Sequence, residues 1–525
     1  MPSSTGPSPL FVPLHPSPRL VAQMTGLTLE QSELEVEQQY NLKRMLRRIR
    51  ASRRRAPRSG NMRAGPSPRA KGIMPTLQLP DPMVIVEGEE GDSGEWSDTD
   101  EDPSMLRKMD VFIDISDNPG NQELRQRVAR LFEDVFGPSL PVAPDHVTIN
   151  RLSGAMTNCI FMVTVDPQPR VPASRALAFR SRGNRRSQQM TDDHALLPRR
   201  YLLRVYGSGV DEFLSREKEL YWLDQLTSLG FGPQLYGIFG NGRLEEYLES
   251  TTLGKEDIWH QSTSKHIARR MSELHNLVST YRPFRENSRT GPPGSPDLWR
   301  NIDSWLELVN RKWDRIRRVC AGNPKCMELL DNWPRVEEAG RKLRGLVEAS
   351  GSPVVFTHND LQYGNILRLE ATGELIVIDF EYAGYSYRGF DVANHFCEWM
   401  ADYHHDTHPH LLDESRYPSR IQRQGFLRTY VKAKAFLDAN MKAEADIVES
   451  DKNTLQLRAV NLSEERIRRE VERLELEIGP FVPASHFHWG VWGLLQAVSS
   501  DIDFDYVGYA SQRLSIFMRQ IAELT

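Results

Sequence analysis

Apolar positions along this chain fall into contrasting regimes. Through residues 1–105, Pro, Ser and Gly interrupt nearly every apolar run and no period persists, so this stretch reads as a disordered tail. One exception, Leu29 to Arg50, has helical spacing with an acidic start and a basic end, matching the helix dipole. From Val111 the pattern changes. Apolar spacing predicts a helix over Gln122 to Phe136, then strands in HVTINRLSG, NCIFMVTV and RYLLRVYG, each rich in β-branched and aromatic residues. Phe213 to Leu229 reads as helical, and LYGIFGNGRLEEYL as a hairpin running into a connector. Beyond it the helical period dominates, as in KHIARRMSELHNLV and DSWLELVNRKWDRIRRVC, broken by one strand-rich segment, Val354 to Glu381. A small strand-rich part followed by a larger helical part predicts an α+β fold with two lobes and a cleft between them. The expected divisions are a small β-rich N-lobe over 110–248, with a disordered insertion at about 166–199, and a mostly helical C-lobe over 249–525. A charged insertion at about 440–477 contains a surface helix, SEERIRREVERLELEI.

Composition narrows the classes. At 525 residues the chain is too long for one core. A formal net charge of −5, from 66 basic and 71 acidic residues, argues against a chain that coats nucleic acid. No apolar run approaches the roughly 20 residues of a transmembrane helix. Prolines stand where a secretory signal needs its apolar stretch, so a cytoplasmic protein is expected. Cys159, Cys320, Cys326 and Cys397 lack zinc-ligand spacing and read as reduced thiols. The tail carries a basic block and then an acidic one, with Ser52, Ser59, Ser93, Ser97 and Thr99 as candidate phosphorylation sites for a regulatory kinase. A homodimer is the other open partner reading.

The chemistry concentrates in VVFTHNDLQYGNILRLEATGELIVIDFEYAG. An apolar run leads to His358-Asn359-Asp360 and then Asn365, and a glycine turn leads to a second run ending at Asp379. Two short strands would bring Asp360, Asn365 and Asp379 to one end of a hairpin-like unit. Phosphoryl transfer needs this kit: a carboxylate that takes the hydroxyl proton, and hard oxygen ligands for magnesium. Asp360 is the expected base, with Asn365 and Asp379 as Mg2+ ligands. Each residue alone reads as a cap or turn former. Together, H-N-D-x4-N followed by apolar-D-F looks like a kinase catalytic loop and DFG-type motif, with HND for HRD and DFE for DFG.

The continuation EYAGYSYRGFDVANHFCEWMADY and the later SHFHWGVWGLLQAVSSDIDFDYVGYA resemble the choline/ethanolamine kinase family, its choline branch most closely, over roughly residues 110–525. The resemblance implies a bilobal protein-kinase-like fold and ATP-dependent, Mg2+-assisted phosphorylation of the choline hydroxyl to phosphocholine, the first step of the CDP-choline route to phosphatidylcholine. It also assigns roles. Ser153, Gly154, Ala155, Met156, Thr157 and Asn158 would form the loop over the nucleotide phosphates. Arg204, which alone reads as a surface strand arginine, would be the cation on those phosphates, its planar fork suited to the task. Glu217 would orient it, with Glu219 as rival. Glu245, Glu246, Tyr247 and Leu248 would lie in the connector whose main chain meets adenine. Asp391 either braces the catalytic loop or caps a helix; His358 holds loop backbone, and His275 is a packed helix residue.

A quaternary ammonium donates no hydrogen bonds and is held by aromatic faces. The resemblance places Gln362, Tyr382, Glu398, Tyr403, Trp489, Trp492 and Tyr509 around choline, although aromatics at i, i+3 read by spacing alone as core. Ethanolamine is the competing acceptor, with Glu381 and Glu398 as acceptors for its ammonium, and dual activity is open. HRD, DFG and APE segments are absent, against a protein kinase, and the Trp/Tyr set argues against an aminoglycoside kinase. A catalytically inactive binding protein of the same shape is the remaining alternative, opposed by the presence of Asp360, Asn365 and Asp379.

Overall fold

A computed structural model describes residues 108–113, 121–137, 142–152, 158–172, 194–206, 215–280, 295–445, 460–500 and 502–524. The charge-blocked tail and its candidate phosphorylation sites lie outside them.

The N-lobe strands in chain order are β1 (Lys108–Met109), β2 (Val147–Leu152), β3 (Asn158–Val165), β4 (Arg170–Pro172), β5 (His194–Leu196), β6 (Arg200–Tyr206), β7 (Leu235–Phe239) and β8 (Gly242–Glu246). Six form one sheet in the order β1-β7-β8-β6-β3-β2, with β1 parallel to β7 and the other neighbours antiparallel. The remaining two, β4 and β5, pair with each other at the base of the Arg- and Pro-rich insertion. Helix α1 (Gln122–Phe136) has the predicted bounds, because Asn121 caps its start and Gly137, at φ 94°, ends it. Its Leu124, Val128, Phe132 and Phe136 pack with Phe161, Tyr201 and Leu203 of the sheet. The Phe132 and Tyr201 rings meet edge to face at 4.7 Å.

Helix α2 (Arg216–Leu229) begins at the Ser215 cap and ends at left-handed Gly230. Its apolar face joins the larger core, not that of the N-lobe sheet: Trp222, Leu223, Leu226 and Leu229 belong to the C-lobe cluster. Trp222 sits 4.4 Å from the Phe356 ring. One helix thereby ties the lobes together.

The C-lobe contains β9 (Ser250–Thr252), α3 (Gln261–Leu277), α4 (Asp297–Arg311), α5 (Trp313–Cys320), α6 (Pro324–Asp331), α7 (Trp333–Ala349), β10 (Val354–Thr357), β11 (Ile366–Leu369), β12 (Leu375–Val377), β13 (Gly384–Tyr387), α8 (Arg388–Glu398), α9 (Arg420–Ala445), α10 (Glu464–Ile478), α11 (Phe481–Ser499) and α12 (Tyr506–Leu524). The strand-rich segment is two ladders where a single hairpin-like unit was expected. Strand β10 pairs with β13, while β11 pairs with β12 and β9. The hairpin is closed by Gly373 at φ 69°. The helix of the charged segment is docked, not merely superficial: Ile467, Val471, Leu474 and Ile478 are buried at helical spacing. Its Glu477 receives a two-pronged bond from Arg388, at 3.0 and 2.5 Å.

Candidate active site

The site grows from the join of those two ladders. Antiparallel register sets Ile366 opposite Val377, so Asn365 immediately precedes one strand and Asp379 closely follows the other. The Ile378 N–H donates to the Asn365 carbonyl at 3.0 Å, and the Asn365 amide donates to the Asp360 side chain at 2.9 Å. Asp360, Asn365 and Asp379 are thus gathered as expected.

Two residues here take left-handed backbone: Asn359 at φ 65° and Asp379 at φ 63°. That conformation costs a non-glycine residue about 1 kcal/mol or more, so surrounding bonds must impose it. Asp391, wholly buried at the start of α8, does so for the first. Its carboxylate accepts the His358 N–H at 3.0 Å, the Asn359 N–H at 2.7 Å and His275 Nε2–H at 2.9 Å. Asp391 is therefore a brace for the loop. Burial alone would raise its carboxyl, but the bond and charge of His275 and the nearby His358 hold it below the usual range. His275 does more than pack, since its other nitrogen meets the Tyr430 hydroxyl at 2.9 Å. His358 is structural: Nε2–H donates to the Ile378 carbonyl at 3.0 Å, and Nδ1 accepts the Asp360 N–H at 3.3 Å. Burial pulls its imidazole below the ordinary value.

Asp360 has the opposite electrostatics to Asp391. Burial first, then the charges of Glu398, Asp379 and Glu381, push its carboxyl well above the ordinary value of 3.8, and the Asn365 amide offsets part of that. Glu381 is raised to about 8, by burial and then Asp379. Two carboxyls raised by burial first and by neighbouring carboxylates second fit a cation binder. Oδ1 of Asp379 and Oδ1 of Asn359 are buried without a hydrogen-bond partner, a further mark of an oxygen set that suits a hard cation.

On the N-lobe side, Arg204 Nη1 lies 3.6 Å from Asp379 Oδ2, joining the lobes across the cleft. Residues 153–157, the expected phosphate loop of Ser153, Gly154, Ala155, Met156 and Thr157, lie outside the described residues; Asn158 opens β3. The assignment of Glu217 needs correction. Glu217 is exposed, whereas Glu219 is buried and accepts from Arg243 at 2.5 Å and Arg216 at 3.0 Å. Residues two apart on a helix point to different sides, so only one could face inward. Arg243, missed in the sequence, stands directly opposite Arg204 in the β6–β8 register. Glu219 and Glu245 compensate it, the latter bonded to its Nε. Glu246 accepts the Gln234 N–H at 3.0 Å. Glu245 and Glu246 therefore turn their side chains into the lobe. Tyr247 and Leu248 form the link from β8 to β9, Tyr247 lying 5.4 Å from the Arg200 guanidinium.

Beside Asp360, the aromatic residues converge. Tyr382 meets Trp489 edge-on at 5.2 Å, Trp489 meets Trp492 at 5.4 Å, and Trp492 meets Tyr509 at 6.1 Å. Asn359 Nδ2 donates to the Tyr382 carbonyl at 2.9 Å, fastening this set to the loop that carries Asp360. Asn394, also missed in the sequence, accepts Trp489 Nε1–H at 2.8 Å and donates to the Asn359 carbonyl at 3.1 Å. Tyr403 donates its hydroxyl proton to Glu398 at 2.7 Å. Gln362 uses its amide oxygen on the Gly364 N–H at 2.7 Å, within the turn before Asn365.

Comparison with known proteins shows the family. A family model described as "Choline/ethanolamine kinase" matches residues 149–518. A human choline/ethanolamine kinase is 33% identical over 392 residues, 73% of this chain and 82% of that protein. A choline kinase of Schizosaccharomyces pombe is 30% identical over 430 residues, 72% and 83% of the respective chains. Among solved structures, a Plasmodium vivax ethanolamine kinase superposes with a TM-score of 0.53 at 22% identity, covering 77% of this chain and 93% of that one, which shows the bilobal kinase-like fold. No helix among the described residues is long and apolar enough to cross a membrane. The chain belongs to the choline/ethanolamine kinase family.

Proposed function

We propose that this kinase transfers the terminal phosphoryl group of ATP to the hydroxyl of choline, giving phosphocholine for phosphatidylcholine synthesis. The observation that carries the reading is the aromatic wall of Tyr382, Trp489, Trp492 and Tyr509, bonded to the same loop that presents Asp360. Asp360 takes the hydroxyl proton as the oxygen attacks; its elevated basicity suits a base working near neutral pH. Asn365 fixes the Asp360 carboxylate by its amide, leaving its own oxygen for a metal. Asp379 and Asn365 would hold Mg2+, which when bound neutralises charge on the transferring phosphates. Arg204 would sit on those phosphates, and the link at Tyr247 and Leu248 would meet adenine through its main chain.

Ethanolamine is the second reading, favoured by Glu381 and Glu398 near Asp360. Steady-state phosphorylation of the two acceptors in parallel, with Mg2+ and ATP saturating, tests the first against the second. A kcat/KM higher for choline is expected; a higher value for ethanolamine would overturn the choline reading.

Two variants test parts of the site. Trp489→Ala removes one ring from the wall, and a ring–cation contact is worth about 0.5–2 kcal/mol, so choline KM should rise about tenfold with ATP KM unchanged. An unchanged choline KM would place Trp489 in the core alone. Glu219→Gln takes one carboxylate from the Arg204–Arg243 pair and should lower kcat/KM for ATP by about tenfold, the factor set by one charge-assisted bond. Glu217→Gln should be silent, and the reverse ranking would restore the expectation read from the sequence.

A further inference from the structure

The polar atoms of the acceptor wall are held by one another. Trp489 Nε1–H goes to Asn394, Trp492 Nε1–H goes to the Tyr382 hydroxyl at 2.9 Å, and the Tyr403 hydroxyl goes to Glu398 Oε2. The other oxygen of Glu398, Oε1, accepts from Arg513 Nη2 at 2.8 Å. Arg513 is completely buried on α12, one turn beyond Tyr509, with its guanidinium 5.1 Å from the Tyr509 ring. Among the described residues its Nε and Nη1 have no hydrogen-bond partner, and its Nη2 forms an ion pair with Glu398. A fully buried arginine is hard to explain as packing, because a buried charge is tolerated only when another charge needs it.

We infer that Arg513 is a specificity-determining positioning residue, which by neutralising and holding Glu398 makes the acceptor site select a trimethylated ammonium over a primary one. The inference rests on the reading of this site as an amino-alcohol site. A primary ammonium brings three N–H donors out of water and each needs an acceptor. At the wall, each oxygen of Glu398 already holds a donor, and the Arg513 guanidinium compensates its charge. A trimethylammonium asks for no hydrogen bond and loses nothing there, since it is bound by ring faces. Arg513 therefore acts through Glu398 and touches neither the acceptor hydroxyl nor the phosphates.

The test is the ratio of kcat/KM for ethanolamine to that for choline, measured with the full chain. Arg513→Gln frees Glu398 Oε1, and the ratio should rise about tenfold, one charge-assisted bond, chiefly through a lower KM for ethanolamine. Arg513→Lys keeps the charge and a donor and should restore a ratio near that of the wild type. In the double variant Arg513→Gln, Glu398→Gln the gain should vanish, because the freed anion is gone. Should Arg513→Gln not fold, Tyr403→Phe frees the opposite oxygen of the same carboxylate by removing a single hydroxyl, and must move the ratio in the same direction. An unchanged ratio in active Arg513→Gln and Tyr403→Phe enzymes, with both acceptors impaired equally, would overturn the inference alone. Absence of wild-type turnover on either acceptor would overturn the functional reading and the inference with it.

Discussion

Asp360→Asn should lower kcat by about 10²–10⁴-fold, the range supplied by a positioned general base, while leaving the choline and ATP Michaelis constants nearly unchanged. The substitution keeps shape and one hydrogen-bonding oxygen beside Asn365, so the loss falls on the proton-accepting step. The same variant should also melt at a higher temperature. The Asp360 carboxyl is raised in the folded protein above its ordinary value of 3.8, by burial first and then by Glu398, Asp379 and Glu381. A carboxyl raised on folding holds its proton in the native state where the unfolded chain has lost it, so stability falls as pH rises through that window. Above the window the ionised Asp360 is a standing cost that asparagine removes, and below pH 3.8 the two proteins should melt alike. The acid limb of wild-type kcat/KM should lie above the ordinary carboxylate range for the same reason. Thermal melts of the metal-free proteins across pH, beside steady-state kinetics, read both effects. A variant that loses activity and also loses stability at neutral pH would place Asp360 among the structural residues.

Asp391→Asn should be the most damaging change away from the reacting atoms. The carboxylate accepts two adjacent backbone N–H groups and His275, and those two N–H groups hold Asn359 in its left-handed conformation. Asparagine offers a single acceptor oxygen and turns an NH2 toward one of the donors. Leaving a buried donor unpaired costs about 1–3 kcal/mol, with more lost because the remaining bonds are no longer to a full charge. The unfolding free energy from urea titration should therefore fall by about 3 kcal/mol, and kcat should fall about 100-fold as the loop relaxes. The wild type shows the related acid behaviour. The Asp391 carboxyl is held below 3.8, so its stabilisation is present above that value and is lost as pH falls through the folded one. Urea titrations of both proteins at neutral pH and near pH 3 check this, since the gap between them should narrow in acid. A variant as stable and as active as the wild type would show that the loop holds its shape without the brace.

What the sequence conveyed well is what lies close together along it. Asp360, Asn365 and Asp379 fall within one short segment, and the helix Gln122–Phe136 carries its own cap and stop signals. What it conveyed poorly depends on helix phase or distant pairing. Glu217 and Glu219 differ only in which side of α2 they occupy, and that is fixed by the core around Trp222. Strand β10 pairs with β13, beyond the turn that carries Asp379, and left-handed Asn359 redirects the chain after Thr357. Arg513 and Glu398 are separated by 115 positions, and Asn394 reaches back to Asn359 and forward to Trp489, so none of these partnerships leaves a local signature. The aromatic spacing was ambiguous for a physical reason: Tyr382, Trp489 and Tyr509 are indeed buried like core, and they form a wall as well.

The most direct test of the central claim is product formation followed by phosphorus NMR, with wild type and Asp360→Asn each incubated with choline, ATP and Mg2+. A growing phosphocholine resonance matched by ADP is expected in the wild type, and almost none in the variant. ADP with inorganic phosphate and no phosphocholine, or equal phosphocholine from both proteins, would contradict it.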